Sequence, residues 1–145
     1  MAIWQFDCYI IPKNNVITNV CLDCDDILSW GMQNRDIENI DFLEKQKSWS
    51  SKISQYGKED ETCIEFFYEK DFLMEIHCRF DLRSLSKKML QNILDYVKKN
   101  EGMIFCDGRI YSPDINEIIK LMKNSKANKF CQNPMNLFEE LSMKS

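Results

Sequence analysis

Residues 62–80 constrain the fold more tightly than any other stretch of the chain. Thr62-Cys-Ile-Glu-Phe-Phe-Tyr68 and Phe72-Leu-Met-Glu-Ile-His-Cys-Arg-Phe80 are dense in β-branched and aromatic residues, and only Glu69-Lys70-Asp71 separate them. Two such runs joined so closely predict a β-hairpin. In the second run Phe72, Met74, Ile76, Cys78 and Phe80 alternate with Leu73, Glu75, His77 and Arg79. One face is therefore expected to be apolar and the other mostly polar, as in an antiparallel sheet covered on one side.

The flanking segments supply the rest of that sheet and its cover. Residues 2–11 read as a strand that Pro12 ends, with turn chemistry at Lys13-Asn14-Asn15 and a short strand-like piece from Val16 to Val20. Asp23 is placed to cap a helix that Gly31 closes. From 32 to 61 the pattern is least regular. Ile37, Ile40, Phe42 and Leu43 hint at a short helix, while Ser48-Trp49-Ser50-Ser51 and Tyr56-Gly57 look like loop.

After the hairpin, Ser84 is expected to cap a helix running to about Asn100, with Leu85, Met89, Leu90, Ile93, Leu94 and Val97 on one face. Met103–Cys106 reads as a strand, Asp107-Gly108 as a turn, and Arg109–Tyr111 as the strand's continuation beyond it. Ser112-Pro113-Asp114 opens a second helix with Ile115, Ile118, Ile119 and Met122 inward. Asn133-Pro134 starts a last helix that buries Leu137, Phe138 and Leu141. The expected class is α+β, one domain over 1–145, with an antiparallel sheet of about four to five strands and helices packed on one side.

Composition excludes several classes of function. With 44% hydrophobic and 12% aromatic residues in 145, the chain has a core and is not intrinsically disordered. No apolar run approaches the roughly 18 residues of a membrane span. The opening Met1–Asp7 places an acid where a signal peptide needs a basic start. Seven cysteines, an odd number set mostly in apolar strand-like segments, argue for a reducing compartment, and a cytoplasmic location is expected.

Charge is laid out unevenly. Residues 1–75 hold 15 acids and 7 bases, residues 76–145 hold 8 acids and 12 bases. Acids cluster at Asp23, Asp25 and Asp26, at Asp36, Glu38, Asp41 and Glu44, and at Glu59–Glu61. Such a surface repels nucleic acid and steers in a basic protein partner. Trp30, Trp49 and Tyr56 lie in or beside this segment, and aromatics set among acids have the composition of a protein-binding patch.

The search for chemistry comes back without a constellation. Cys21-Leu-Asp-Cys24 is half of a zinc site with no second half, so no metal is expected. As a redox pair it is opposed by Asp25 and Asp26, which disfavour a thiolate. Four glycines, at 31, 57, 102 and 108, form no phosphate loop, and no EF-hand spacing occurs. No cofactor is expected. The single histidine, His77, sits mid-strand and is read first as a hydrogen-bonded sheet residue. A small enzyme or ligand-binding domain would use it as acid or base, with Glu75 or Asp81 as the neighbouring carboxylate.

Several short strings resemble a known group: Trp4-Gln-Phe-Asp-Cys-Tyr-Ile-Ile-Pro12, Ile27-Leu-Ser-Trp-Gly31, Asp107-Gly-Arg-Ile-Tyr-Ser-Pro113, Ser125-Lys-Ala127 and Phe130-Cys-Gln-Asn-Pro134. With the chain's acidic α+β character, they resemble the immunity proteins encoded beside bacterial polymorphic or contact-dependent toxins. The resemblance implies a non-enzymatic inhibitor that binds one cognate toxin domain, such as a nuclease, and blocks it. Those proteins are diverse in fold, so no residue role carries over. The residues expected to contact a partner are Asp23, Asp25, Asp26 and Trp30, then Asp36, Glu38, Asp41, Trp49 and Tyr56.

Overall fold

A computed structural model describes residues 3–18, 27–33 and 35–130 of the chain. Strand β1 (Gln5–Pro12) runs directly into helix α1 (Lys13–Thr18), and a 3-10 turn covers Arg35–Glu38. Then come β2 (Lys45–Gln46), β3 (Ile53–Tyr56), β4 (Cys63–Glu69) and β5 (Phe72–Asp81). Helix α2 (Lys87–Lys99), β6 (Gly102–Cys106), β7 (Arg109–Tyr111), α3 (Ile115–Lys123) and α4 (Lys126–Phe130) complete the order. All strands belong to one antiparallel sheet of seven, in the order β2-β3-β4-β5-β1-β6-β7. The class is α+β, with more strands than the four or five expected.

The hairpin forms because its two-residue loop suits a right-twisted ribbon. Lys70 and Asp71 both take positive φ, 51° and 66°, and Glu69 pairs with Phe72 around them. The β6–β7 loop repeats the device with Asp107 and Gly108, at 50° and 76°. The inward face of β1, β4 and β5 alternates as Phe6, Cys8 and Ile10, as Ile64 and Phe66, and as Ile76, Cys78 and Phe80. Against it pack Leu90, Ile93, Leu94 and Val97 from α2, Ile118, Ile119 and Met122 from α3, and Ala127 from α4. Phe66, Ile76, Cys78, Phe80, Leu90 and Ile93 are fully buried. Each such side chain contributes about 1.5–3 kcal/mol by leaving water.

Several expectations are corrected. The simple alternation of β5 fails at its start: Leu73 is buried and Phe72 is 43% exposed. The pairing with β4 slips between Phe67 and Tyr68, so that Phe67 faces Glu75 and Tyr68 faces Leu73. Met74 is thus an extra residue, and a bulge of this kind inverts the parity of everything beyond it. Lys13-Asn14-Asn15 and the start of the expected Val16–Val20 strand form a helix instead. Asn15 anchors that helix by donating Nδ2 to the carbonyls of Ile27 and Ser29, at 2.9 and 2.8 Å.

Ser86, not Ser84, caps α2, accepting from the Met89 N–H at 3.1 Å. Ser84 turns back to Asp81 instead. Tyr56 ends a strand rather than sitting in a loop, because β3 pairs along β4 from Ile53 opposite Phe67 to Tyr56 opposite Ile64. The expected helices at Asp23–Gly31 and from Asn133 lie wholly or partly outside the described residues. The helix expected to open at Ser112-Pro113-Asp114 starts at Ile115, with Pro113 outside it and Asp114 as its cap, accepting from the Glu117 N–H at 3.1 Å.

Candidate functional site

The sheet face turned away from the helices is divided. At one end Ile11, Leu28 and Phe105 form a second, smaller cluster, with Tyr9, Ile27 and Met103 against it. Beyond it the strands present a row of charge. Asp7 faces Arg79 across the β1–β5 pairing, Tyr9 faces His77, and Glu65 of β4 faces His77 from the other side. The side chains join across that register. His77 Nε2 contacts Asp7 Oδ1, and its Nδ1 lies 3.7 Å from Glu65 Oε1. Arg79 Nη2 donates to the same Glu65 oxygen at 2.9 Å. Tyr9 stacks on the imidazole, with ring centroids 4.9 Å apart.

These contacts set the electrostatics. The approach of His77 holds the Glu65 carboxyl below the usual glutamate range, and Arg79 works in the same direction against burial. Burial pushes Asp7 above its ordinary value, although His77 and Arg79 oppose it. Arg79 is only 12% exposed, and among the described residues its Nε and Nη1 find no acceptor. Cys63 opposes Arg79 on this face, and burial raises its thiol to about 11. A thiol that resists ionisation is a poor nucleophile.

Beside this row lies an open groove of about 250 Å³, lined by Trp49, Ile53, Glu65, Phe67, Glu75, His77 and Arg79. Ile53 and Phe67 pair across β3 and β4, giving an apolar wall. Trp49 stands at the rim, 73% exposed. The turn behind it is tied by Ser48 Oγ donating to the Ile53 carbonyl at 2.6 Å and by the Ile53 N–H to Ser50 O at 3.2 Å.

The partner-contacting residues expected from sequence do not form one patch. Asp23, Asp25 and Asp26 lie outside the described residues, as do Cys21 and Cys24. Trp30 is half-buried against the main core and donates Nε1 to the Ile10 carbonyl at 2.9 Å, so it is not a projecting anchor. Tyr56 is buried, on the helix side of the sheet. Glu38 accepts hydrogen bonds from Tyr56 Oη at 3.0 Å and from Tyr68 Oη, so it fastens the Arg35–Glu38 turn to the sheet. Asp36 and Asp41 are exposed, and Asp41 lines a shallow hollow of about 240 Å³ with Asn92, Asp95 and Lys99 of α2. Among the described residues of that set, Trp49 alone lines the groove on the opposite face. Sheet alternation divides the expected patch, because the turn hangs on inward-pointing tyrosines while Trp49 neighbours outward-pointing Ile53.

The residues missed by sequence reasoning are Asp7, Tyr9, Ile53, Glu65, Phe67 and Arg79. Their signal lay in the polar alternation of Glu75, His77 and Arg79, but pairing with Asp7, some 70 residues away, required the strand order. Neither carboxylate beside His77 is the expected Glu75 or Asp81: the contacts are made by Asp7 and Glu65. Asp81 is buried and holds Arg83, at 3.0 Å from Nη2. Cys8, Cys63, Cys78 and Cys106 are buried free thiols. Among the described residues no three His, Cys, Asp or Glu side chains are gathered to hold a metal ion, and no helix is long and apolar enough to cross a membrane. No protein family, curated protein or solved structure matches the chain.

Proposed function

We propose that this chain is a non-enzymatic protein-binding module, an immunity protein that neutralises a cognate toxin by occupying it. The observation that carries the reading is on the sheet face turned away from the main core: among the described residues it keeps an open groove with a tryptophan 73% exposed at its rim. Large exposed aromatics beside apolar walls and charge are the usual anchors of protein interfaces. The network itself supports binding over catalysis. Both ring nitrogens of His77 face carboxylates, and the thiol on that face is held protonated.

The test is the affinity for the product of the adjacent gene, measured calorimetrically across rising salt. A complex that weakens with salt is expected, since an acidic surface adds steering that ions screen. Absence of any complex would end the reading. A second reading, a small ligand-binding domain or enzyme using His77 as acid or base, draws on the placement of that ring in the groove. It requires a metabolite that raises the melting temperature of the wild type and not of a His77→Ala variant; a screen yielding none disposes of it.

A further inference from the structure

Three thiols share the main core on neighbouring strands: Cys78 on β5, Cys8 on β1 and Cys106 on β6. Cys8 and Cys78 are direct partners in the antiparallel ladder, and Cys106 stands one residue beyond the Tyr9–Phe105 pair. Opposed residues of such a ladder have Cα atoms about 4.5 or 5.5 Å apart, depending on the hydrogen-bonding pattern. Both separations fall within the roughly 4.4–6.8 Å that a disulfide spans. The side chains meet as the register requires: a hydrogen bond with Cys78, and then burial, push the Cys8 thiol above its ordinary range. Cys106 is otherwise engaged, donating Sγ to the Asp7 carbonyl at 3.6 Å. Cys63 is close in the ladder, opposite Arg79, but alternation puts it on the other face of the sheet.

We propose that Cys8 and Cys78 are a modification site, which hydrogen peroxide converts into a disulfide tying β1 to β5 within the folded chain. One thiol, ionised when the strands part locally, attacks the O–O bond, becoming a sulfenic acid and releasing hydroxide. The second sulfur displaces that oxygen as water, and the hydroxide takes up the proton the first thiol gave up. Two thiols and one peroxide thus yield one disulfide and two waters. The thiols are 2% and 0% exposed, which favours so small an oxidant over a bulky disulfide. The site is independent of the protein-binding reading.

The experiment uses the reduced chain, held with hydrogen peroxide while warm but folded, so that local opening recurs. Remaining thiols are blocked with iodoacetamide, and the chain is digested with trypsin without reductant. Cys8, Cys78 and Cys106 then fall in separate peptides, residues 1–13, 71–79 and 100–109. A species joining 1–13 to 71–79 is expected by mass spectrometry, split by dithiothreitol into its two parts. Cys106→Ala is expected to leave that link in place. The treated chain is expected to show a higher urea midpoint before dithiothreitol than after it, because the link restricts the unfolded chain. Methionine oxidation is common to both samples, since dithiothreitol leaves it in place. Cys78→Ala is expected to lose both the link and that rise. Cys8 joined to Cys106, both thiols still free, sulfinic acids on unlinked cysteines, or a midpoint lower before reduction than after it would each overturn the proposal.

Discussion

Glu65 is held by two neighbours at once, and its behaviour with pH follows from that. Its carboxyl titrates below the usual glutamate range because His77 and Arg79 favour the charged form. The resulting stabilisation is fully present above the ordinary glutamate value and is lost as pH falls through the lowered one. Urea midpoints measured down through the acid range are expected to fall for the wild type, with that component missing in a Glu65→Gln variant. Arg79→Ala leaves Glu65 buried without its cation and is expected to lower stability by about 3 kcal/mol. Because Arg79 Nε and Nη1 have no acceptor among the described residues, the desolvation of this pair offsets much of its attraction. A double Glu65→Gln, Arg79→Met variant is therefore expected to lose less than Arg79→Ala alone, as a double-mutant cycle would show. On the helix side, Glu38 receives two tyrosine hydroxyls. Glu38→Ala removes this acceptor from both hydroxyls, and chemical denaturation is expected to show a loss of about 2 kcal/mol.

The elements are joined by turns whose backbone is more demanding than their sequence. Lys70 and Asp71 occupy left-handed conformations that L side chains adopt at some strain. Replacing them by Asn-Gly, which suits that geometry, is expected to raise stability by about 1 kcal/mol with no change in spectrum. Gly57 is the opposite case. It has φ of 85°, and a Cβ there would stand 2.3 Å from the Thr62 carbonyl oxygen. Its N–H also bonds Glu44 O at 2.8 Å, fastening the loop before β2. Gly57→Ala is expected to cost more than about 2 kcal/mol, read as a lowered thermal midpoint. The two outermost strands, β2 and β7, have two and three residues and carry Lys45 and Arg109. Short, charged edges discourage further strands from adding there.

For the whole molecule the separation of duties runs through the sheet. One face holds the main core, and the other combines the smaller Ile11, Leu28 and Phe105 cluster and the Glu65–Arg79 pair with side chains that project into solvent. Trp49 is one of these last, with most of its ring in solvent. A Trp49→Ala variant is expected to keep its melting temperature within the scatter of surface substitutions and, on the proposed function, to bind the cognate partner at least about tenfold more weakly. Loss of stability without loss of binding would mean that the ring serves packing.

The chain's local pattern by itself determined the hairpin at 62–80, the amphipathic helices α2 and α3, the Asp107-Gly108 turn and the α+β class. Each of these depends on residues within a few positions of one another, and periodicity reports such neighbours directly. The two short strands before the hairpin were hidden, because Lys45–Gln46 and Ile53–Tyr56 have little strand character and extend only by pairing with what lies beside them. The parity of Leu73 and Phe72 was likewise decided by one extra residue in the ladder. The candidate site needed the tertiary structure most. Its parts come from β1, β4, β5 and the Trp49 turn, and only strand order and register bring Asp7, Glu65, His77 and Arg79 side by side. The same alternation carries Glu38 and Tyr56 to the opposite face, since on a pleated sheet neighbours in sequence point away from each other while partners across the ladder meet.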